Sequence, residues 1–181
     1  MSDGEHTSPA ADRRKFEEAL RLRDVQHLAA SASVWMQEAM NAWSEDEYGK
    51  VAVLAPLAVE HLGKAVLWQK NPVLVVPLSP DAEASLAKLA TRPTLTDPKL
   101  RTVGLKTLLG RIETVTGSLP INQSRRTRMV EIRNGAMHIA SSGTSRHVLI
   151  DALMLCNAFL EQLGQEPGTA ARVGDGFGQA A

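Results

Sequence analysis

Cysteine is nearly absent: Cys156 is the single thiol in 181 residues. One thiol closes no internal disulfide and builds no cysteine-rich zinc site. Its neighbours Leu153, Leu155 and Phe159 mark it as a small buried apolar residue. Aromatic residues are also scarce, at 4% of a chain that is 44% hydrophobic, and the apolar content is mostly Ala, Leu, Val and Met. That bias argues against a sheet and for helices, because these side chains, Val excepted, lose little freedom in a helix. Net charge is absent too, with twenty basic residues against twenty acidic ones. A neutral chain has no global attraction for nucleic acid, so any such binding must use a local patch. No apolar run comes near the ~18 residues that span a bilayer, and the polar opening Met1 to Asp12 lacks a signal-peptide core. The expectation is a soluble, cytoplasmic protein without a membrane role. His27 and His147 have no suitably spaced carboxylate or cysteine partners, so neither a metal site nor a cofactor is indicated.

What is present is an all-α pattern: an up-and-down bundle of four to five long helices with an irregular insertion after the second. Residues 1–12 read as a disordered tail, 13–164 as one helical domain, and 165–181 as a glycine-rich disordered tail. The first helix spans about 13–43, with Val25, Leu28, Ala32, Trp35, Ala39 and Trp43 at helical spacing. Ser44 and Glu47 form a capping-box pattern that would open the second helix, which reaches about Gln69. That helix carries Leu54, Ala58, Leu62 and Ala65 on one face, and Pro56 predicts a kink or a late start. Val73 to Leu78 reads as an extended segment packed on the bundle, followed by a short helix over 81–90 and a loop over 91–98. The next helix covers about 99–116, with Leu105, Leu108, Ile112 and Val115 inward and Gly117 as its cap. Another runs from about Pro120 to Ser141. After a break at Ser142-Gly143-Thr144, a final helix spans about 145–163, with Leu149, Ala152, Cys156, Phe159 and Leu163 on one side. Trp35, Trp43 and Trp68 fall in apolar patterns and read as core or interface anchors.

The penultimate long helix holds the string Arg133-Asn134-Gly135-Ala136-Met137-His138. It offers a fixed cation, a hydrogen-bonding amide and a group that exchanges protons near neutral pH. On a helical wheel Thr127, Glu131, Asn134, His138 and Ser141 form a polar stripe, and Met129, Ile132, Ala136 and Ile139 an apolar one. Asn134 and His138 are thus one turn apart on one face. Arg133 lies about 140° from His138 at ~100° per residue. Reaching one substrate requires its side chain to curl round, or the helix to loosen at Gly135. Arg125, Arg126 and Arg128 precede the motif and read either as a track for an RNA backbone or as an ion-paired helix face. Glu60 and Lys64 are one turn apart and read either as a helix-stabilising couple or as a support for the motif. His61 between them reads as an ordinary surface or packing residue.

The arginine, polar residue and spaced histidine resemble the R-x(4–6)-H motif of the HEPN superfamily, small all-α proteins of which many are metal-independent ribonucleases in toxin–antitoxin, abortive-infection and other anti-phage defence systems. Here the match is Arg133, four residues, and His138, with Asn134 in the polar position. The order of helices is similar, as is the stretch Ala58 to Leu67 with its acid and lysine one turn apart. The resemblance covers about residues 20–164. It departs at Met137, where some members carry a tyrosine that a partner nucleotidyltransferase modifies; the only tyrosine here is Tyr48. It also differs in that many members are parts of larger proteins, whereas this chain reads as the bundle alone.

The resemblance implies an endoribonuclease with Arg133, Asn134 and His138 catalytic, and with Glu60, Lys64 and Glu131 in support. It implies a homodimer that brings two motif helices to a shared cleft, with an antitoxin or sensor as a further partner. The alternative it leaves open is a non-catalytic helical module that binds nucleotide, RNA or protein. A third reading is a helical protein in which the motif is coincidental.

Overall fold

The computed structural model describes residues 9–80, 82–97, 100–135 and 141–165. The histidine of the motif, His138, and both chain ends therefore lie outside the described residues. The described residues form six α-helices: α1 (Pro9–Ser44), α2 (Tyr48–Lys70), α3 (Ala82–Thr91), α4 (Leu105–Thr116), α5 (Gln123–Gly135) and α6 (Ser142–Gln162). A short 3-10 helix, Pro72–Val75, follows α2. No strand occurs among the described residues. Among the described residues α1, α2 and α6 exceed twenty residues, and α5 is described as far as Gly135.

The centre of the fold is α2, which packs along α1 and also touches α4, α5 and α6. Its sequence explains why. Val51, Ala52, Ala55, Ala58, Val59, Leu62, Ala65, Val66, Leu67 and Trp68 are all buried, so the helix is apolar around most of its circumference. A helix of that kind belongs inside a domain or a membrane. Indeed α2 is long and apolar enough to cross a bilayer, contrary to the reading that no run comes close. Of its most apolar window, 72% is buried inside the bundle, which accounts for the composition. Pro56 sits buried within α2, and the helix runs through it from Tyr48 without a late start.

Packing around α2 is tightest at Gly63. A Cβ there would lie 2.6 Å from Leu108 Cδ2, 3.0 Å from Ile112 Cδ1 and 3.2 Å from Phe159 Cε2, at the crossing of α2 with α4 and α6. The missing side chain lets three helices approach. Gly63→Ala asks the Leu108 tip to turn and the Ile112 tip and the Phe159 ring to give by a few tenths of an ångström. Gly63→Val adds branched carbons between packed helices and is expected to cost about 1–3 kcal/mol through overpacking. Urea unfolding of the two variants checks this; equal midpoints for Val and Ala would refute the close crossing.

Several boundaries differ from the sequence expectation. Helix α1 is described from Pro9, so residues 9–12 are helical rather than part of a disordered tail. Ser44 does not open α2: its Oγ donates to the carbonyl of Asn41 and closes α1. The turn uses Asp46 in the left-handed region, at φ 59°, and α2 begins after Glu47 without a side-chain cap. The segment after α2 is a 3-10 turn rather than an extended run. Arg111 Nη1 donates to the carbonyls of Leu74 and Val76, each at 2.6 Å, and the N–H of Val103 donates to the Val75 carbonyl at 2.9 Å. Those bonds hold Val75 and Val76 on the core.

Helix α4 begins at Leu105, after Gly104, and not near 99. Val115 is exposed and Leu109 takes the inward place beside Leu105, Leu108 and Ile112. Gly117 caps α4 at φ 88°, its N–H donating to the Glu113 carbonyl. Ser142-Gly143-Thr144 is no break but the first turn of α6, with Ser141 as its N-cap accepting from the Thr144 N–H. Ser145 Oγ then bonds the Tyr48 carbonyl at 2.9 Å and ties the start of α6 to the start of α2. Trp68 is fully buried, while Trp35 and Trp43 pack partly buried against the core.

Candidate functional site

Helix α5 carries Arg133 and Asn134, and little apolar surface holds it. Met129 is its one buried residue, with Val130 and Ile132 partly buried against the core. Asn122 starts the helix, its Oδ1 accepting from the Arg125 N–H at 3.0 Å. From there the sequence supplies four arginines, and each meets a carboxylate on a neighbouring helix. Arg125 and Arg128 share Asp151 of α6, Arg126 grips Glu113 of α4, and Arg133 meets Glu60 of α2. The motif helix is therefore clamped to three neighbours by charge as much as by packing.

The Arg133 contact is the most informative. Its Nη2 lies 2.7 Å from Glu60 Oε2, and Lys64 Nζ donates to Glu60 Oε1 at 2.8 Å. Glu60 is buried, although it is a carboxylate on an otherwise apolar helix. A buried carboxylate needs compensation, and here two cations provide it. The two contacts differ in kind. Lys64 makes an aligned hydrogen bond, whereas Oε2 accepts none among the described residues despite its nearness to Arg133. Arg133 is thus held against the carboxylate by charge. Two cations on one carboxylate also leave a surplus positive charge at a half-buried guanidinium.

The described members of the polar stripe, Thr127, Glu131 and Asn134, are exposed, and Met129 of the apolar stripe is buried. Ser141 leaves that stripe, because it caps α6. His138, Met137, Ala136 and Ile139 fall outside the described residues. Glu131 and Thr127 line a cavity of about 390 Å³ between α4 and α5, together with Lys106, Glu113 and Arg126. A cavity of about 450 Å³ lies between α1 and α6, with Met36, Leu62, Leu153 and Leu160 against His27 and Asn157. None of the described motif residues, Arg133 to Gly135, lines it.

The structure brings Glu60, Lys64 and Arg133 together and divides the three arginines that precede Arg133 between two carboxylates. Arg126 forms a two-pronged pair with Glu113, at 2.7 and 3.0 Å, and is largely buried. Arg125 and Arg128 converge on Asp151, with Nε of Arg125 at 2.7 Å from Oδ1 and Nη2 of Arg128 at 3.1 Å from Oδ2. Arg125 Nη2 also contacts Oδ1 and lies 3.4 Å from Met154 Sδ. Sequence reading passed over Asp151. The signal was a lone acid within the apolar stripe of α6, three residues after Val148 and four before Leu155. Burial of such an acid demands a cation from elsewhere in the fold.

His61 behaves as a packing residue. Its Nδ1 is 2.9 Å from Ser31 Oγ, and its ring meets Trp35 edge-on, with centroids 6.4 Å apart. Burial pushes its pKa below the usual 6.5, and Lys64 adds to that while Glu60 opposes it. The unfolded chain therefore binds this proton more readily than the folded one. Its contribution to stability is complete above about pH 6.5 and is lost as pH falls through the folded-state value, by at most ~1.4 kcal/mol per pH unit. Wild type is expected to lose stability below pH 6.5 more steeply than His61→Gln, which parallel denaturation curves at pH 5 and 7.5 would read. Matching pH dependence would rule out a lowered His61.

Cys156 is buried and its thiol is pushed up to about 12 by desolvation, so it is no nucleophile near neutrality. Among the described residues no three His, Cys, Asp or Glu side chains gather as a metal site. No family model, curated protein or solved structure matches this chain, so its function has to be argued from its own residues.

Proposed function

We propose that this protein is a HEPN-like, metal-independent endoribonuclease that leaves 2′,3′-cyclic phosphate ends. The observation that carries the reading is the braced arginine of the motif. Arg133 sits on a buried carboxylate that also holds Lys64 and stands next to the exposed amide of Asn134. A guanidinium fixed in that way suits a phosphate, whose charge it meets with a rigid fork of donors.

The chemistry follows from the residue types. In the proposed dimer one His138 takes the proton from the ribose 2′-OH. The 2′-oxygen attacks phosphorus and the bond to the 5′-oxygen breaks. The second His138 gives its proton to that leaving oxygen. Imidazole, with an ordinary pKa of ~6.5, serves in both directions near neutral pH. Arg133 stabilises the charge that builds on the phosphoryl oxygens. Asn134 orients the phosphate or the imidazole, and Glu131 lies on the same exposed face. A two-fold contact suits this division, because one patch meeting itself supplies both histidines. The setting we propose is a cytoplasmic toxin or anti-phage defence protein held quiet by an antitoxin or released by a sensor.

The test is digestion of a mixed-sequence RNA in a chelator, with the product ends identified and a DNA of the same sequence alongside. Cyclic-phosphate ends on RNA and intact DNA are expected, since DNA lacks the attacking hydroxyl. Cleavage of both, or 5′-phosphate products, would refute the mechanism. Binding of RNA without cleavage would favour a non-catalytic module.

A further inference from the structure

The two arginines on Asp151 form an arrangement that the motif chemistry does not use. Asp151 is 1% exposed and belongs to the buried face of α6, so its charge is fixed in the protein interior. It receives two guanidiniums from α5, and one carboxylate balances only one of them. Arg125 and Arg128 remain 32% and 39% exposed. Among the described residues neither Nη1 has a hydrogen-bond acceptor: Arg125 spends Nε and Nη2 on Asp151, and Arg128 spends Nη2. The pair thus presents a surplus positive charge, Nη1 donors with no acceptor among the described residues on partly exposed side chains, and a buried anchor that restrains both side chains. Arg126 differs in each respect. It is 11% exposed, and its two terminal nitrogens are both taken by Glu113 in a neutral pair.

We infer that Arg125 and Arg128, held by Asp151, form a phosphate-binding site for the backbone of single-stranded RNA, adjoining the motif on the same helix, and that Arg126 takes no part in it. The choice of RNA as the source of the phosphate rests on the ribonuclease reading. Asp151 acts here as a positioning residue: it restrains two long side chains that would otherwise lose rotamer freedom on binding. Shared guanidiniums suit a phosphodiester because two adjacent forks offer donors to a tetrahedral oxyanion. Such contacts carry no base information and fix only where the strand lies.

Salt dependence tests this without relying on cleavage. A 2′-O-methyl oligonucleotide cannot be cut and binds through the same backbone. Its affinity is measured from low to moderate salt for wild type, Arg126→Gln and the double variant Arg125→Gln/Arg128→Gln. Each lost phosphate contact on a single strand lowers the slope of log affinity against log salt by about 0.7. The double variant is expected to lose about 1.4 of slope, and Arg126→Gln none. Because the double variant strands Asp151, a triple variant, Arg125→Met/Asp151→Leu/Arg128→Met, replaces the whole cluster by apolar groups. It is expected to fold and to show the same slope loss.

An unchanged slope in the folded triple variant overturns the site. So does an equal loss in Arg126→Gln, which would mean only a diffuse basic surface. The two readings fail separately. Wild type that cuts native RNA while the triple variant keeps its slope sinks the site alone. A slope loss in a protein that never cuts RNA sinks the ribonuclease reading and leaves the phosphate site standing.

Discussion

Replacing His138 with alanine is expected to lower RNA cleavage by about 10²- to 10⁴-fold, the usual worth of general acid–base catalysis. The loss should be deep because the proposed dimer uses this side chain twice, once to accept the 2′-hydroxyl proton and once to protonate the leaving oxygen. Stability should change little, since the substitution leaves the buried clamps of α5 and the α2 core untouched. Side-by-side digestion in a chelator, with melting curves of both proteins, separates the two effects. Cleavage by His138→Ala at the wild-type rate would end the proposal that the motif is the reactive centre. A melted variant would mean that His138 is structural.

Glu60→Ala is expected to be strongly destabilising, because it strands two cations at once. Lys64 is 14% exposed on its side chain and loses its only partner among the described residues, and Arg133 loses its brace. Removing one member of a buried ion cluster costs about 3–5 kcal/mol, because the remaining charge is left uncompensated. Urea denaturation reads that loss. The double variant Glu60→Met/Lys64→Met removes the stranded charge together with the carboxylate and should recover most of the stability, as buried pairs replaced by apolar residues commonly do. Arg133 would still be unbraced. Misplacing a catalytic group by about an ångström can cost a hundredfold in rate, so cleavage by the refolded double variant should stay about that far down. Full activity in the double variant would show that Arg133 does not depend on Glu60.

These two substitutions probe different levels of the protein. Sequence pattern was enough to single out His138, since it needs only a histidine five residues after an arginine on a helical stretch. The brace on Arg133 required a fold. Glu60 and Lys64 are visible in the sequence as a one-turn pair, but an exposed pair of that kind is worth only a few tenths of a kcal/mol. What makes it consequential is that α2 is surrounded by other helices, which buries Glu60 and brings Arg133, 73 residues on, to its second oxygen.

Amino-acid order by itself determined the all-α class, the glycine cap at Gly117, and the buried faces of α1 and α6. Each is a local matter of period, propensity or backbone freedom. It misplaced what neighbours decide. The Ser44 box closed one helix instead of opening the next, because the left-handed turn at Asp46 sets where α2 begins. Ser141 capped α6 rather than extending the motif helix. The extended reading of the run after Asn71 gave way to a 3-10 turn whose carbonyls meet a guanidinium 35 residues ahead. Above all, three arginines within four residues looked equivalent in the chain. Only the tertiary structure divided them, because it sets which carboxylate each one meets: Glu113 of α4 neutralises Arg126, whereas Asp151 of α6 must serve both Arg125 and Arg128 and leaves a positive charge at the surface.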